Sequence, residues 1–257
     1  MKKAWKVIFY VSIAVIILTV GALISYLYIK DKNAEVYEDL PEQVHNPPVV
    51  ETEPEPPEEP EEPYVSPIDF DVLWEINPDV YAWIEIPGMD IAYPVLQSAT
   101  DDSYYLNHTV EREAGLPGSI YTESIHAKDF SDFNTVIYGH NMNNLTMFGS
   151  LRSYRDETFL EEHREIVIYT PEAEYHYKIF AAVIYSNAYL PAAFDNNTEE
   201  GRQDYIDAIS NGVRNMNSHV LDDVEVTTDS HLITLSTCVG DARYRYLVVA
   251  ALEESET

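Results

Sequence analysis

The sequence predicts a mainly β domain, a barrel or a sandwich, carried behind one membrane-spanning helix. Three observations support this. The stretch 68–257 breaks into many short apolar–polar alternations bounded by Pro, Gly, Asn and Asp. Only one long segment of that stretch keeps a helical period, about Glu199–Met216, with Tyr205, Ile206, Ala208, Ile209 and Val213 on one face. Ahead of it, Val7–Ile29 is an uncharged, mostly apolar run of 23 residues.

The apolar run comes first in the chain. At about 1.5 Å per residue it reaches roughly 34 Å, enough to cross a hydrocarbon core of about 30 Å. It is longer than the apolar region of a cleaved signal peptide, and Leu23–Tyr28 makes a poor cleavage site. We therefore expect an uncleaved signal-anchor over 7–29. Lys2, Lys3 and Lys6 precede it and a strongly acidic stretch follows, so a short cytoplasmic tail (1–6) and an external bulk are expected. Residues 30–67 include Pro47-Pro48 and the run Glu53–Pro63, in which Pro alternates with Glu. Proline favours extended polyproline II and repeated Glu is self-repelling, so this reads as a stalk.

The domain, 68–257, opens with a short amphipathic helix through Phe70, Leu73, Trp74 and Ile76. Two strands follow about a Pro87-Gly88 turn, Trp83–Ile86 and Ile91–Gln97. Further strands are expected at Ser119–Thr122, Asn134–Tyr138, Glu165–Thr170, Glu174–Ser186, His231–Cys238 and Arg243–Leu252, with a short helix over Met147–Tyr154.

Composition excludes several functions. The chain of 257 residues has 15 Lys+Arg against 45 Asp+Glu, a formal charge of -30. No nucleic-acid partner is expected, because phosphate neutralisation needs clustered cations. The charge is unevenly spread: residues 1–30 carry four Lys and no acid, residues 31–63 carry twelve acids against Lys32, and -23 remains for 64–257. One Cys excludes an intrachain disulfide and Cys-rich zinc sites. There is no His-Glu-x-x-His and no Gly-rich phosphate loop, so neither a metal nor a cofactor is expected.

The lone Cys238 ends a probable strand and is followed by a turn, Val239–Ala242, and two arginines. A buried small hydrophobe is the ordinary fate of a free Cys. A simple hairpin about the turn would instead set Cys238 against Arg243 and Ser236 against Arg245, and a neighbouring guanidinium favours thiolate. His140 also follows a strand, Asn134–Tyr138, after the break at Gly139. Cys, His and Arg at strand ends supply a nucleophile, a proton shuttle and an oxyanion donor.

Thr234-Leu235-Ser236-Thr237-Cys238, Tyr138-Gly139-His140-Asn141-Met142 and an Arg opening the last strand resemble the sortases, membrane-anchored cysteine transpeptidases of Gram-positive bacteria. Ile76–Ile84, Ile86–Val95, Tyr104–His108, Asp129–Asp132 and Met147–Leu151 resemble class B in particular. The resemblance covers essentially all of 68–257. It implies an eight-stranded β-barrel with an N-terminal helix and a helix inserted between strands six and seven. It implies that Cys238 is the nucleophile, His140 the catalytic histidine and Arg245 the arginine, since Arg245 precedes the branched-apolar run Tyr246–Ala250. Arg243, which the simple hairpin favours, stays a second candidate here. Tyr138, Leu106 and Ser236 match groove-lining positions, and Asp102 falls where some relatives carry Asn. The implied partners are a sorting-signal peptide of secreted proteins and an amine of a peptidoglycan precursor or a pilin. A hydrolytic cysteine protease and a non-catalytic wall-facing module are the alternatives.

Overall fold

Strand pairing in this chain closes into a ring. The computed structural model describes residues 2–45, 64–211 and 217–256. Its strands are β1 (Val80–Ile86), β2 (Ile91–Gln97), β3 (Ile120–Thr122), β4 (Asn134–Tyr138), β5 (Glu165–Tyr169), β6 (Glu174–Ser186), β7 (His219–Val220), β8 (Leu232–Cys238) and β9 (Tyr244–Glu256). They pair in the order β5-β1-β2-β3-β4-β8-β9-β6, and β6 pairs back to β5. This is the expected eight-stranded barrel. The two-residue β7 pairs only with β6. Closure leaves few backbone edges unpaired. Two neighbouring pairs are parallel, β2–β3 and β4–β8.

The period of two sorts side chains to the two faces of the sheet. Ile137, Ile233, Leu235, Val248 and Ala250 belong to the main core with Trp83, Ile84 and Leu96. Their sequence neighbours Val136, Leu232, Leu247 and Val249 lie in a second cluster outside the barrel. That outer cluster is covered by the helix expected between the sixth and seventh barrel strands.

The helices are α1 (Lys2–Glu35), α2 (Leu40–Val44), α3 (Phe70–Ile76), α4 (Glu157–Glu162), α5 (Leu190–Ala193) and α6 (Glu199–Ser210). Asp69, Asp156 and Thr198 cap α3, α4 and α6 by accepting from Val72, Phe159 and Gly201 backbone N–H groups. α6 buries Tyr205, Ile206 and Ile209 against the outer face. Asn211 follows as its C-cap, and the rest of the predicted helix, 212–216 with Val213 and Met216, lies outside the described residues. The helix expected over Met147–Tyr154 is instead a 3-10 helix at Ser150–Arg155, followed by α4.

α1 contains a long apolar window with mean hydropathy 2.3, none of it buried. The helix runs past the predicted anchor to Glu35. Asn33 Nδ2 then donates to the Ala114 carbonyl at 3.2 Å. Tyr37, Leu40 and Val44 are buried in the main core. The Tyr37 hydroxyl donates to the Gly118 carbonyl (2.7 Å), accepts from the Val110 N–H (2.9 Å) and lies 3.0 Å from Ser119 Oγ. The segment expected as a stalk therefore divides. Residues 33–45 pack on the barrel, and the Pro/Glu-rich run within 46–63 lies outside the described residues.

One buried histidine makes the barrel sensitive to acid. His126 Nε2 accepts the Val136 N–H at 3.3 Å, and Nδ1 lies 3.3 Å from Asp132 Oδ2. Only the neutral ring with its proton on Nδ1 satisfies both contacts. Burial pushes the His126 pKa down from its ordinary value, outweighing the pull of Asp132. The native state thus binds fewer protons than the unfolded chain. The resulting stability is present above the unfolded value of about 6.5 and is lost as pH falls through the folded value. Urea midpoints measured from pH 7.5 to 5 should fall, and His126→Gln should fall less over the same range.

Candidate active site

The site grows from the end of β8. That strand lies between β4, which is parallel, and β9, which is antiparallel. Tyr138 pairs with Ser236, and Cys238 pairs with Arg245. His140 follows Tyr138 by two residues, as Cys238 follows Ser236. Three further bonds tie the His140 segment to the end of β8. Gly139 N–H donates to the Ser236 carbonyl (3.2 Å), Thr237 Oγ1 donates to the Gly139 carbonyl (2.7 Å), and Asn141 Nδ2 donates to the Cys238 carbonyl (2.6 Å). Paired strands run about 4.8 Å apart. His140, Cys238 and Arg245 thus come from three adjacent chain segments, with Cys238 in the middle.

The outward-facing residues of β8 change environment along the strand. Leu232 and Thr234 lie beneath α6, and Thr234 Oγ1 meets Tyr205 Oη (2.5 Å) and donates to Asn134 Oδ1 (2.7 Å). Ser236 lines a cavity instead, and Cys238 is exposed. The buried-hydrophobe reading of Cys238 therefore fails.

The connection after Cys238 also corrects the simple hairpin. Gly240 takes a φ of +90° and Tyr244 N–H closes on the Asp241 carbonyl at 3.0 Å, so β9 starts only at Tyr244. This longer turn moves the pairing by two residues. Arg245 rather than Arg243 faces Cys238, and Ser236 pairs with Leu247 rather than Arg245. Arg243 is turned to Asp241, donating to both carboxylate oxygens at 3.1 and 2.7 Å. Asp241 is held down at about 2 by those bonds.

His140 is half-buried and its Nε2 lies 2.7 Å from the Leu106 carbonyl. A carbonyl only accepts, so Nε2 carries the proton there and Nδ1 is the other exchangeable nitrogen. Leu106 itself is exposed, in a 3-10 turn over Tyr104–Leu106. Two glycines make room for this arrangement. A Cβ on Gly118, whose φ is +68°, would come within 2.6 Å of the Leu106 carbonyl and 3.2 Å of His140 Cδ2. A Cβ on Gly139 would sit 2.6 Å from Ile120 and Phe148 side-chain atoms.

Two cavities are lined by the last residues of β8, one by Ser236 and the other by Cys238. One, about 150 Å³, is lined by Arg245, Tyr138, Ser236, Glu123 and Tyr189 among others. Tyr121 stacks on Tyr138 with centroids 5.4 Å apart. Burial pushes the Tyr138 and Tyr121 hydroxyls well above the ordinary phenol range. Tyr189 Oη donates to Glu123 Oε2 at 2.5 Å, and that bond holds Tyr189 up at about 12. Desolvation raises the Glu123 carboxyl. Asp102 does not line this cavity; its carboxylate accepts the Ser124 N–H at 2.7 Å and braces the loop beside Glu123. The second cavity, about 320 Å³, is lined by Cys238 with Asn141, Asn143, Arg152 and Arg155 among others.

With this geometry in hand, a family profile for the sortase domain matches residues 84–253. The chain belongs to the sortase family, in its class B. It is 34% identical to sortase B of Listeria monocytogenes over 67% of this chain and 68% of that protein. It is 30% identical to sortase B of Staphylococcus aureus over 97% of both chains. The sortase B structure from B. anthracis in complex with AAEK1 superposes with a TM-score of 0.69 at 25% identity, covering 89% of this chain and 99% of that one. The 2.0 Å crystal structure of S. aureus sortase B gives 0.65 at 26% identity, covering 90% and 97%.

Within this sortase domain, sequence reasoning missed Glu123, Tyr189, Arg152 and Arg155 as neighbours of the site. They come from distant segments and belong to no local motif. Asn141 was visible in the motif around His140, but its bond to the Cys238 carbonyl needed the fold. Because the space at Gly139 is filled, Gly139→Ala should cost about 1–3 kcal/mol, the usual penalty of overpacking. It should also displace the His140 segment. A lowered urea midpoint together with shifted His140 imidazole NMR signals would check this.

Proposed function

We propose that this sortase is a cysteine transpeptidase that cleaves a sorting-signal peptide after Thr and transfers the protein to an amine. The observation that carries the reading is the exposed Cys238 thiol held between the His140 segment and Arg245 by strand pairing. In the proposed cycle the Cys238 thiolate attacks the Thr carbonyl carbon and a C–S bond forms. Arg245 donates to the oxyanion. The C–N bond breaks as His140 delivers a proton to the leaving amine, giving a thioester. An incoming amine then attacks the thioester carbonyl and gives its proton to His140. The new C–N bond forms and Cys238 leaves as thiolate, so no oxidant or metal enters the balance. Nδ1 of His140 carries the proton in both directions while Nε2 keeps its bond to Leu106.

Tyr138, Ser236 and Leu106 form the wall along which the donor peptide lies, and Asp102 braces its far side. The acceptor is a peptidoglycan precursor amine or a pilin amine. A thioester suits transfer to an amine once the site positions it. The apolar α1 serves as a single-pass anchor with its N-terminus cytoplasmic and the domain outside. The anchor keeps enzyme and membrane-tethered substrate in one thin layer, raising their effective concentration.

The test uses the full chain in detergent with a fluorogenic sorting peptide, with and without triglycine. A ligated product that appears only with the amine, and vanishes in Cys238→Ala, is expected. Cleavage that releases free acid at the same rate whatever amine is present would favour the hydrolase. Unchanged turnover in Cys238→Ala would end the cysteine mechanism.

A further inference from the structure

The cavity lined by Cys238 is unusual in charge. The chain carries a formal charge of -30, yet three of its eight arginines, Arg152, Arg155 and Arg245, gather around the thiol. Among the described residues none of the three has an ion-pair partner, whereas Arg112, Arg164 and Arg243 each face an aspartate. Arg152 is fixed by uncharged acceptors: Nε donates to the Gly149 carbonyl (2.8 Å), and Nη2 donates to the Met142 carbonyl (2.7 Å) and Asn141 Oδ1 (3.2 Å). Arg155 lies over the Tyr246 ring, 5.6 Å from its centroid. Its Nε is buried and has no hydrogen-bond partner. Arg155 nevertheless lines the cavity with Cys238, and among the described residues no carboxylate neutralises its charge. Asp241, next to Gly240 on the cavity's rim, is already engaged by Arg243.

In a transfer enzyme the acceptor amine approaches the acyl carbon where the leaving amine departed, apart from the groove that holds the acyl half of the donor. Cys238 lies at the Arg152–Arg155 cavity, while Arg245, its partner across the strands, lines the other. Asn141 and Asn143 add amide groups that pair with either an amine or a carboxylate. Resting on the transpeptidase reading above, we propose that the cavity lined by Arg152, Arg155, Asn141 and Asn143 is the acceptor subsite, and that it selects an amine carrying a carboxylate close to its nitrogen. The guanidinium groups hold the carboxylate, and the amine is thereby aimed at the acyl carbon on Cys238.

Two measurements on the full chain in detergent test this, and the first needs no turnover. Cys238 is the chain's single thiol, so its alkylation is read without ambiguity. The ratio of its rates with iodoacetate and iodoacetamide reports attraction for a carboxylate at the sulfur. Arg155→Gln should lower that ratio at least about fivefold, as expected for losing one charge-assisted contact. Arg155→Lys should retain most of it, and Arg243→Gln should leave it unchanged. The second measurement compares glycine and glycinamide as acceptors for a sorting peptide. Taking their ratio in each variant cancels the different basicity of the two amines. The glycine-to-glycinamide ratio should fall by a similar factor in Arg155→Gln and recover in Arg155→Lys. An alkylation ratio equal in all variants would overturn the carboxylate site. Transfer with equal acceptor ratios in all variants would overturn the acceptor assignment while leaving the transpeptidase reading intact. A shifted alkylation ratio without any peptide transfer would overturn the transpeptidase reading and the acceptor assignment, and leave only an anion site at the thiol.

Discussion

The register of β8 against its two neighbours is the constraint on which the site depends. β8 pairs in parallel with β4 and antiparallel with β9, and these two pairings set the ends of three strands in one row. A slip of one residue on either side would turn the outward set of β8 inward. The core resists such a slip because Ile233 and Leu235 are fully buried inside, while Leu232 is covered outside by α6. The same hydrophobic burial that holds the barrel together therefore fixes which side chain faces the thiol.

Cys238 lies in the part of the row that α6 leaves uncovered. Thr234 spends its hydroxyl on Tyr205 and Asn134 and is sealed. Four residues later Cys238 is exposed, and the next segment turns away through Gly240. Polar ties then replace apolar packing: Asn141 holds the Cys238 carbonyl, Thr237 holds Gly139, and Leu106 holds His140. The loop carrying Leu106 is in turn fastened by Tyr37, just beyond the long apolar helix. The base of that helix is thus part of the domain's packing, and residues 33–45 do more than space the barrel from it.

Much of this was legible in the sequence. Strands β4 and β6 match the alternation residue for residue, and β8 and β9 begin within one residue of expectation. Their signals are strong because each strand is a short run rich in β-branched and aromatic residues. The start of α6 was legible through its one apolar face, and the structure adds the Thr198 cap. The turn after Cys238 was not legible from local rules, since Val239–Ala242 fits a four-residue hairpin. The family register reached the observed pairing because it counts back from Tyr246–Ala250, which the core holds in place. Tyr37, Leu40 and Val44 fall at i, i+3 and i+7, but in a short acidic stretch interrupted by Pro41, and only the barrel surface gives them partners. Arg155 was unremarkable in sequence, and only the fold brings it to the cavity that Cys238 lines.

Arg245, and not Arg243, is the guanidinium paired across the strands with Cys238. The direct measurement is the initial rate at which Cys238 forms a hydroxylamine-labile acyl adduct with a sorting peptide, followed by mass spectrometry after acid quench. It would be made in Arg245→Ala and Arg243→Ala with matched urea midpoints. Loss of an oxyanion donor costs about 10²–10³ in rate, so Arg245→Ala should fall by that factor while Arg243→Ala stays close to the parent. Equal losses in the two variants, or a larger loss in Arg243→Ala, would contradict the account.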